Sequence, residues 1–94
     1  MRLRWSENAI DDLAALRSYI EKDKPKAAKN VVKRILEAVE LLPEQTEIGR
    51  PGRISGTREL VVIGTPYVVP YRISGEDIQL LRVFHGAMKW PEKM

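Results

Sequence analysis

An α+β fold follows from three features of the sequence. Polar and apolar side chains alternate at the start, Arg2-Leu3-Arg4-Trp5, as on a half-buried strand. Two stretches follow whose apolar residues recur every three or four positions, the spacing of amphipathic helices. Three apolar runs separated by short turn signals then occupy Gly56 to Trp90. The predicted order is an N-terminal strand, an antiparallel helix hairpin and a three-stranded antiparallel meander. It makes one small domain over residues 1–94, with the helices packed on one face of the sheet.

Leu3 and Trp5 share one side of the first strand. Ser6 follows as a helix N-cap, and Glu7 places an anion in the first turn, where the helix dipole favours it. Ala9, Leu13, Leu16 and Ile20 form one stripe of a helix predicted from Glu7 to Lys22. Asp23-Lys24 breaks it, and Pro25 suits the first turn of a second helix, where its missing N–H has no partner to lose. Ala28, Val32, Ile35, Val39 and Leu42 then repeat at four and three, a seam suited to an antiparallel neighbour, and Pro43 is expected to stop it. Pro43 to Gly56 has no periodicity and reads as a long loop carrying Glu44, Glu47, Arg50 and Arg53.

Gly64-Thr65-Pro66 and Ser74-Gly75-Glu76-Asp77 separate the three strands. Simple alternation puts Arg58, Leu60 and Val62 opposite Glu59, Val61 and Ile63 in the first. In the second, Tyr67, Val69, Tyr71 and Ile73 oppose Val68, Pro70 and Arg72. In the third, Ile78, Leu80, Arg82 and Phe84 oppose Gln79, Leu81, Val83 and His85. The third is apolar on both sides, which predicts an interior position. Pro70 cannot donate to a ladder, so it implies an edge or a bulge. With both helices spent on one face, the other is expected to be solvated or covered by a partner. Trp90 should fold back onto the chain.

The chain has 94 residues, 44% of them hydrophobic, which is ordinary for a globular protein. It has no cysteine, which excludes disulfides, thiolate metal sites and a cysteine nucleophile. The charged N-terminus lacks the apolar core of a signal peptide, and no apolar run reaches the roughly 20 residues of a membrane helix, so a soluble, cytoplasmic protein is expected. A net charge of +3 fits nucleic acid, an acidic protein partner or simple solubility. No cofactor and no metal are expected.

The candidate functional residues are Arg58, Arg72, Arg82 and His85, all set into apolar runs. Metal-free RNA cleavage needs cations for the phosphorane, a base for the 2′-OH and an acid for the leaving oxygen. The arginines suit phosphate, His85 suits acid or base work near neutrality, and Glu59 is a second candidate base. Yet alternation sends Arg82 and His85 to opposite faces, and Arg58 and Glu59 likewise. Arg58 and Arg72 are equally suited to pairing with Glu59 or Asp77 across strands. Arg82, between Leu81 and Val83, needs a carboxylate in this chain or from a partner.

Across nearly its whole length the chain resembles the RelE/ParE superfamily, the toxin half of type II toxin–antitoxin pairs. The strings GTRELVV, PYVVPYRI and IQLLRVFHGAMKW carry the resemblance, preceded by ENAIDDLAALRSYI and LPEQTEIGRPGR. It implies an antitoxin whose C-terminal segment wraps around the toxin in a hetero-oligomer. RelE-like members cut mRNA on the ribosome, a role that would fall here to Arg58, Arg72, Arg82 and His85. ParE-like members bind DNA gyrase. Val68 stands where RelE-like enzymes carry an arginine, and the ending FHGAMKW is closer to the ParE-like form, so the resemblance favours gyrase. Arg53, Arg58, Arg82, His85 and Trp90 are the expected partner-binding residues.

Overall fold

The computed structural model describes all 94 residues. In chain order the elements are β1 (Arg2–Trp5), α1 (Glu7–Glu21), α2 (Pro25–Val39), β2 (Arg50–Pro51), β3 (Arg58–Val61), β4 (Tyr67–Ser74), β5 (Asp77–Leu80) and β6 (Phe84–His85). The sheet runs β1-β5-β4-β3-β2, and β6 also pairs with β4. β1 is parallel to β5, and the other pairs are antiparallel. A parallel pair needs a crossover, and the helix hairpin supplies it. β5 is interior, between β1 and β4, as its apolar composition predicts. No helix is long and apolar enough to cross a membrane.

Both predicted stripes reach the core. Ala9 and Leu16 from α1, and Ile35, Val39 and Leu42 from α2 and its end, pack on Leu60, Val62, Tyr67, Val69, Tyr71, Ile78, Leu80 and Val83. Leu3, Trp5, Leu13, Ile20 and Val32 seal the margin. The Ser6 hydroxyl accepts the Ala9 N–H at 3.0 Å, as an N-cap should.

Three expectations need correction. The second helix ends at Val39, short of Pro43, and the backbone continues in turns through Leu42 N–H to Val39 O and Gln45 N–H to Leu41 O. Those turns still bury Leu42. The segment Pro43–Gly56 is also more than a loop, because Arg50 and Pro51 pair with Glu59 and Arg58 as β2. Tyr71 holds it there. Its hydroxyl donates to Thr46 O at 2.7 Å and accepts the Gly49 N–H at 3.0 Å. A Cβ at Gly49 would come within 2.5 Å of the Tyr71 ring, so only glycine allows this approach.

The third correction concerns the last strand, which breaks in two. Tyr71 faces Leu80 and Val68 faces Phe84. Two residues of β4, Val69 and Pro70, thus oppose three, Leu81, Arg82 and Val83, which is a bulge of one residue. Of the two readings of Pro70, the bulge is realised. The extra residue reverses the alternation beyond it. Val83 joins Leu80 in the core, while Phe84 turns to the outer face with Val68, and His85 pairs with Tyr67 on the helix side.

The first helix and its N-cap satisfy the polar groups of the bulge. The Ser6 hydroxyl donates to Leu81 O at 2.8 Å, and the Asp12 carboxylate accepts the Val83 N–H at 2.9 Å. Asp12 also accepts both Nε and Nη2 of Arg82, at 2.7 and 2.9 Å. This fork raises the guanidinium pKa further and supplies the carboxylate that Arg82 requires.

Asp12→Ala should lower unfolding free energy by about 2–3 kcal/mol, because a partly buried guanidinium and an N–H lose their acceptor. Urea titration checks this, and a cycle with Arg82→Ala should show about 1–2 kcal/mol of coupling. Tyr71→Phe should cost about 1–3 kcal/mol by leaving Thr46 O and Gly49 N–H unpaired. Burial raises the Tyr71 pKa above 10.0, so its contribution is present below that pH and lost as pH rises through the folded value. Tyr71→Phe should therefore flatten the alkaline limb of the stability profile, leaving the part due to Tyr67, also raised by burial.

Candidate functional site

The four candidate residues do not converge. Arg58 lies opposite Tyr71, and its Nη1 donates to Gly49 O at 2.7 Å and Glu47 O at 3.3 Å. It pins the Thr46–Gly49 segment and so acts in the fold. Arg82 is held by Asp12. His85 lies opposite Tyr67, with ring centroids 5.6 Å apart, and its Nδ1 accepts the Ala87 N–H at 3.1 Å. The partners of Arg58 and His85 on β4, Tyr71 and Tyr67, are four positions apart, which places the two about 13 Å apart along the strand direction. Arg72 is half-buried opposite Gln79 and makes no ion pair.

The acidic candidates are also occupied. Glu59 is 2% exposed. It accepts Arg50 Nε at 3.0 Å and the Arg53 N–H at 2.8 Å. Asp77 pairs with Arg2 and Arg4, and its Arg4 hydrogen bond holds the carboxyl below the usual range. Neither carboxylate meets Arg58 or Arg72. No three His, Asp or Glu side chains gather as a metal site requires.

The outer face of the sheet is not bare, contrary to expectation. Glu59, Val68, Pro70 and Phe84 are buried there by the chain itself. The tail returns after Gly86, and Trp90 packs on Phe84 with ring centroids 5.0 Å apart and the ring planes tilted by 48°. The Arg53 guanidinium lies 3.7 Å from the centre of the Trp90 ring, and Arg82 lies 4.7 Å from that of Phe84. Two cations therefore flank two packed rings. Trp90 Nε1 donates a long hydrogen bond, 3.4 Å, to His85 O. The bulge makes this arrangement possible, since without it Phe84 would face the helices. Strict alternation in the sequence could not anticipate it.

A second surface lies between α2 and the far side of β3. It is a groove of about 1000 Å³ lined in part by Lys33, Arg34, Leu41, Ile48, Arg50 and Val61. β2 covers β3 only at Arg58 and Glu59. The Val62 N–H bonds to Tyr67 O, so the backbone groups of the preceding residue, Val61, turn outward, towards the groove. Leu41, Ile48 and Val61 are exposed, and Ile63 is 85% exposed. Lys33 and Arg34 have no ion-pair partner. Only the general idea of an apolar groove beside the hairpin is legible from sequence. The available signal is the pair of exposed apolar residues Val61 and Ile63 at the end of the strand.

Residues 3–90 match the family model of the ParE toxin of the type II toxin-antitoxin system, parDE. Y4kP of Sinorhizobium fredii, a toxin by name, is 50% identical over 91 residues, covering 97% of this chain and 94% of that protein. Toxin RelE2 of Caulobacter vibrioides is 36% identical, covering 88% and 92%. Among solved structures, the chromosomal ParDE toxin–antitoxin system of P. aeruginosa superposes with a TM-score of 0.83 at 32% identity, over 90% of this chain and 95% of that one. The RelBE2 toxin–antitoxin complex of Mycobacterium tuberculosis gives 0.58 at 30% identity, over 89% and 95%. Matched by that family model over residues 3–90, the chain belongs to the ParE toxin family of type II toxin–antitoxin systems.

Proposed function

We propose that this toxin acts by binding DNA gyrase, and that a cognate antitoxin neutralises it. The observation that carries a binding mode is the dispersal of the cationic candidates. Arg58 is spent on backbone carbonyls, Arg82 on Asp12, and His85 stands at the other end of the sheet. An RNA-cleaving centre needs acid, base and cations around one phosphate. The similarity to a ParDE system supports the same reading. The outer-face stack is the favoured gyrase contact, because Arg53 is 47% exposed there and Trp90 is an aromatic anchor of the kind interfaces use.

The α2–β3 groove is the favoured antitoxin site. Its outward β3 backbone suits an added strand, its apolar residues suit alternate side chains, and its free cations suit an acidic segment. The similarity to the RelBE2 complex supports an antitoxin partner. A second reading, ribosome-dependent mRNA cleavage, draws on the similarity to toxin RelE2 and on the uncommitted Arg72.

Purified toxin at micromolar concentration should inhibit gyrase supercoiling, while primer extension on translated message should show no new A-site cuts. Cuts that vanish with His85→Ala, and supercoiling left intact, would establish the second reading instead. Lys33→Glu with Arg34→Glu should weaken the antitoxin complex about ten- to a hundredfold. Calorimetry at two salt concentrations checks this, and supercoiling inhibition by the variant alone should be unchanged.

A further inference from the structure

Glu59 stands between the two surfaces. Arg50, which lines the groove, bonds to its Oε1 through Nε at 3.0 Å and Nη2 at 2.9 Å. On the other oxygen, Oε2, the Arg53 backbone N–H sits at 2.8 Å, while the Arg53 Nε is only within 3.7 Å. That guanidinium lies instead over Trp90, also at 3.7 Å. Arg53 is therefore held between a carboxylate it does not fully engage and a ring it covers. Arg50 is 52% exposed, so a ligand in the groove can reach it.

We propose that Arg50, Glu59, Arg53 and Trp90 form a charge relay that links the groove to the C-terminal tail. An acidic side chain seated in the groove takes Arg50 from Glu59. A carboxylate as buried as Glu59 cannot be left uncompensated, and that cost far exceeds the loss of a partly exposed cation–π contact. Arg53 therefore closes on Oε2 and leaves the ring. Trp90 then keeps only Phe84 and the long bond to His85 O, and the tail loosens. This rests on the reading that the groove takes an acidic segment. It adds that such a partner alters the tail surface without covering it.

The test needs no partner. In a Trp5→Phe background Trp90 is the sole tryptophan, and acrylamide quenching reports its cover. Arg50→Ala should raise the quenching constant about twofold, matching Arg53→Ala, because both strip the cation from the ring. The double variant should add nothing. Glu59→Gln, which removes the charge that draws Arg53, should abolish the response to Arg50→Ala. Arg50→Lys should restore the parent value and serves as the folded control. Unchanged quenching in folded Arg50→Ala, or additive effects of the two arginine substitutions, would overturn the relay. The reading of the groove fails separately, if reversing Lys33 and Arg34 leaves antitoxin affinity intact.

Discussion

The fold depends on how α1 holds the bulge in the last strand. Pro70 has no N–H to offer, and the strand opposite it gains a residue. Such a break would leave polar groups unpaired at a buried junction. Ser6 and Asp12 supply the missing partners, and the Leu81 N–H donates to Pro70 O at 2.9 Å. One carboxylate thus binds the first helix, the bulge and Arg82 together. The same interaction sets the side-chain parity of β6, and so decides that Phe84 faces outward.

A second buried carboxylate organises the other end of the sheet. Glu59 gathers Arg50 and the Arg53 backbone, and it draws the β2–β3 connection over the outer face. Tyr71 does the same from the core side, with a hydroxyl bonded to Thr46 and Gly49. A segment with no periodicity of its own is therefore fixed by side chains from β3 and β4. These anchors also shape the two exposed surfaces, the groove beside α2 and the stack around Trp90.

The arginines show how little a residue type says about its task. Arg58, Arg72 and Arg82 share one chemistry and similar apolar settings in sequence. One holds a loop by its carbonyls, one answers a helix carboxylate, and one stays free. Lys33 and Arg34, on an unremarkable helix face, line the groove instead. In this chain the three arginines are thus placed by their neighbours in the fold and form no single cluster.

Local features were enough to establish the helices, β1 and the meander. Ser6, Pro25 and the two apolar stripes act within a few residues of themselves, and so do the turn glycines Gly64 and Gly75, whose φ values are +83° and +59°. Propensity, capping and periodicity are short-range, so a linear reading captures them. The bulge parity, the burial of Glu59 and the pairing of Asp12 with Arg82 came only from tertiary structure. Asp12 and Arg82 are 70 residues apart in the chain. Nothing in either neighbourhood specifies the other, because a buried charge selects whichever partner packing brings within reach.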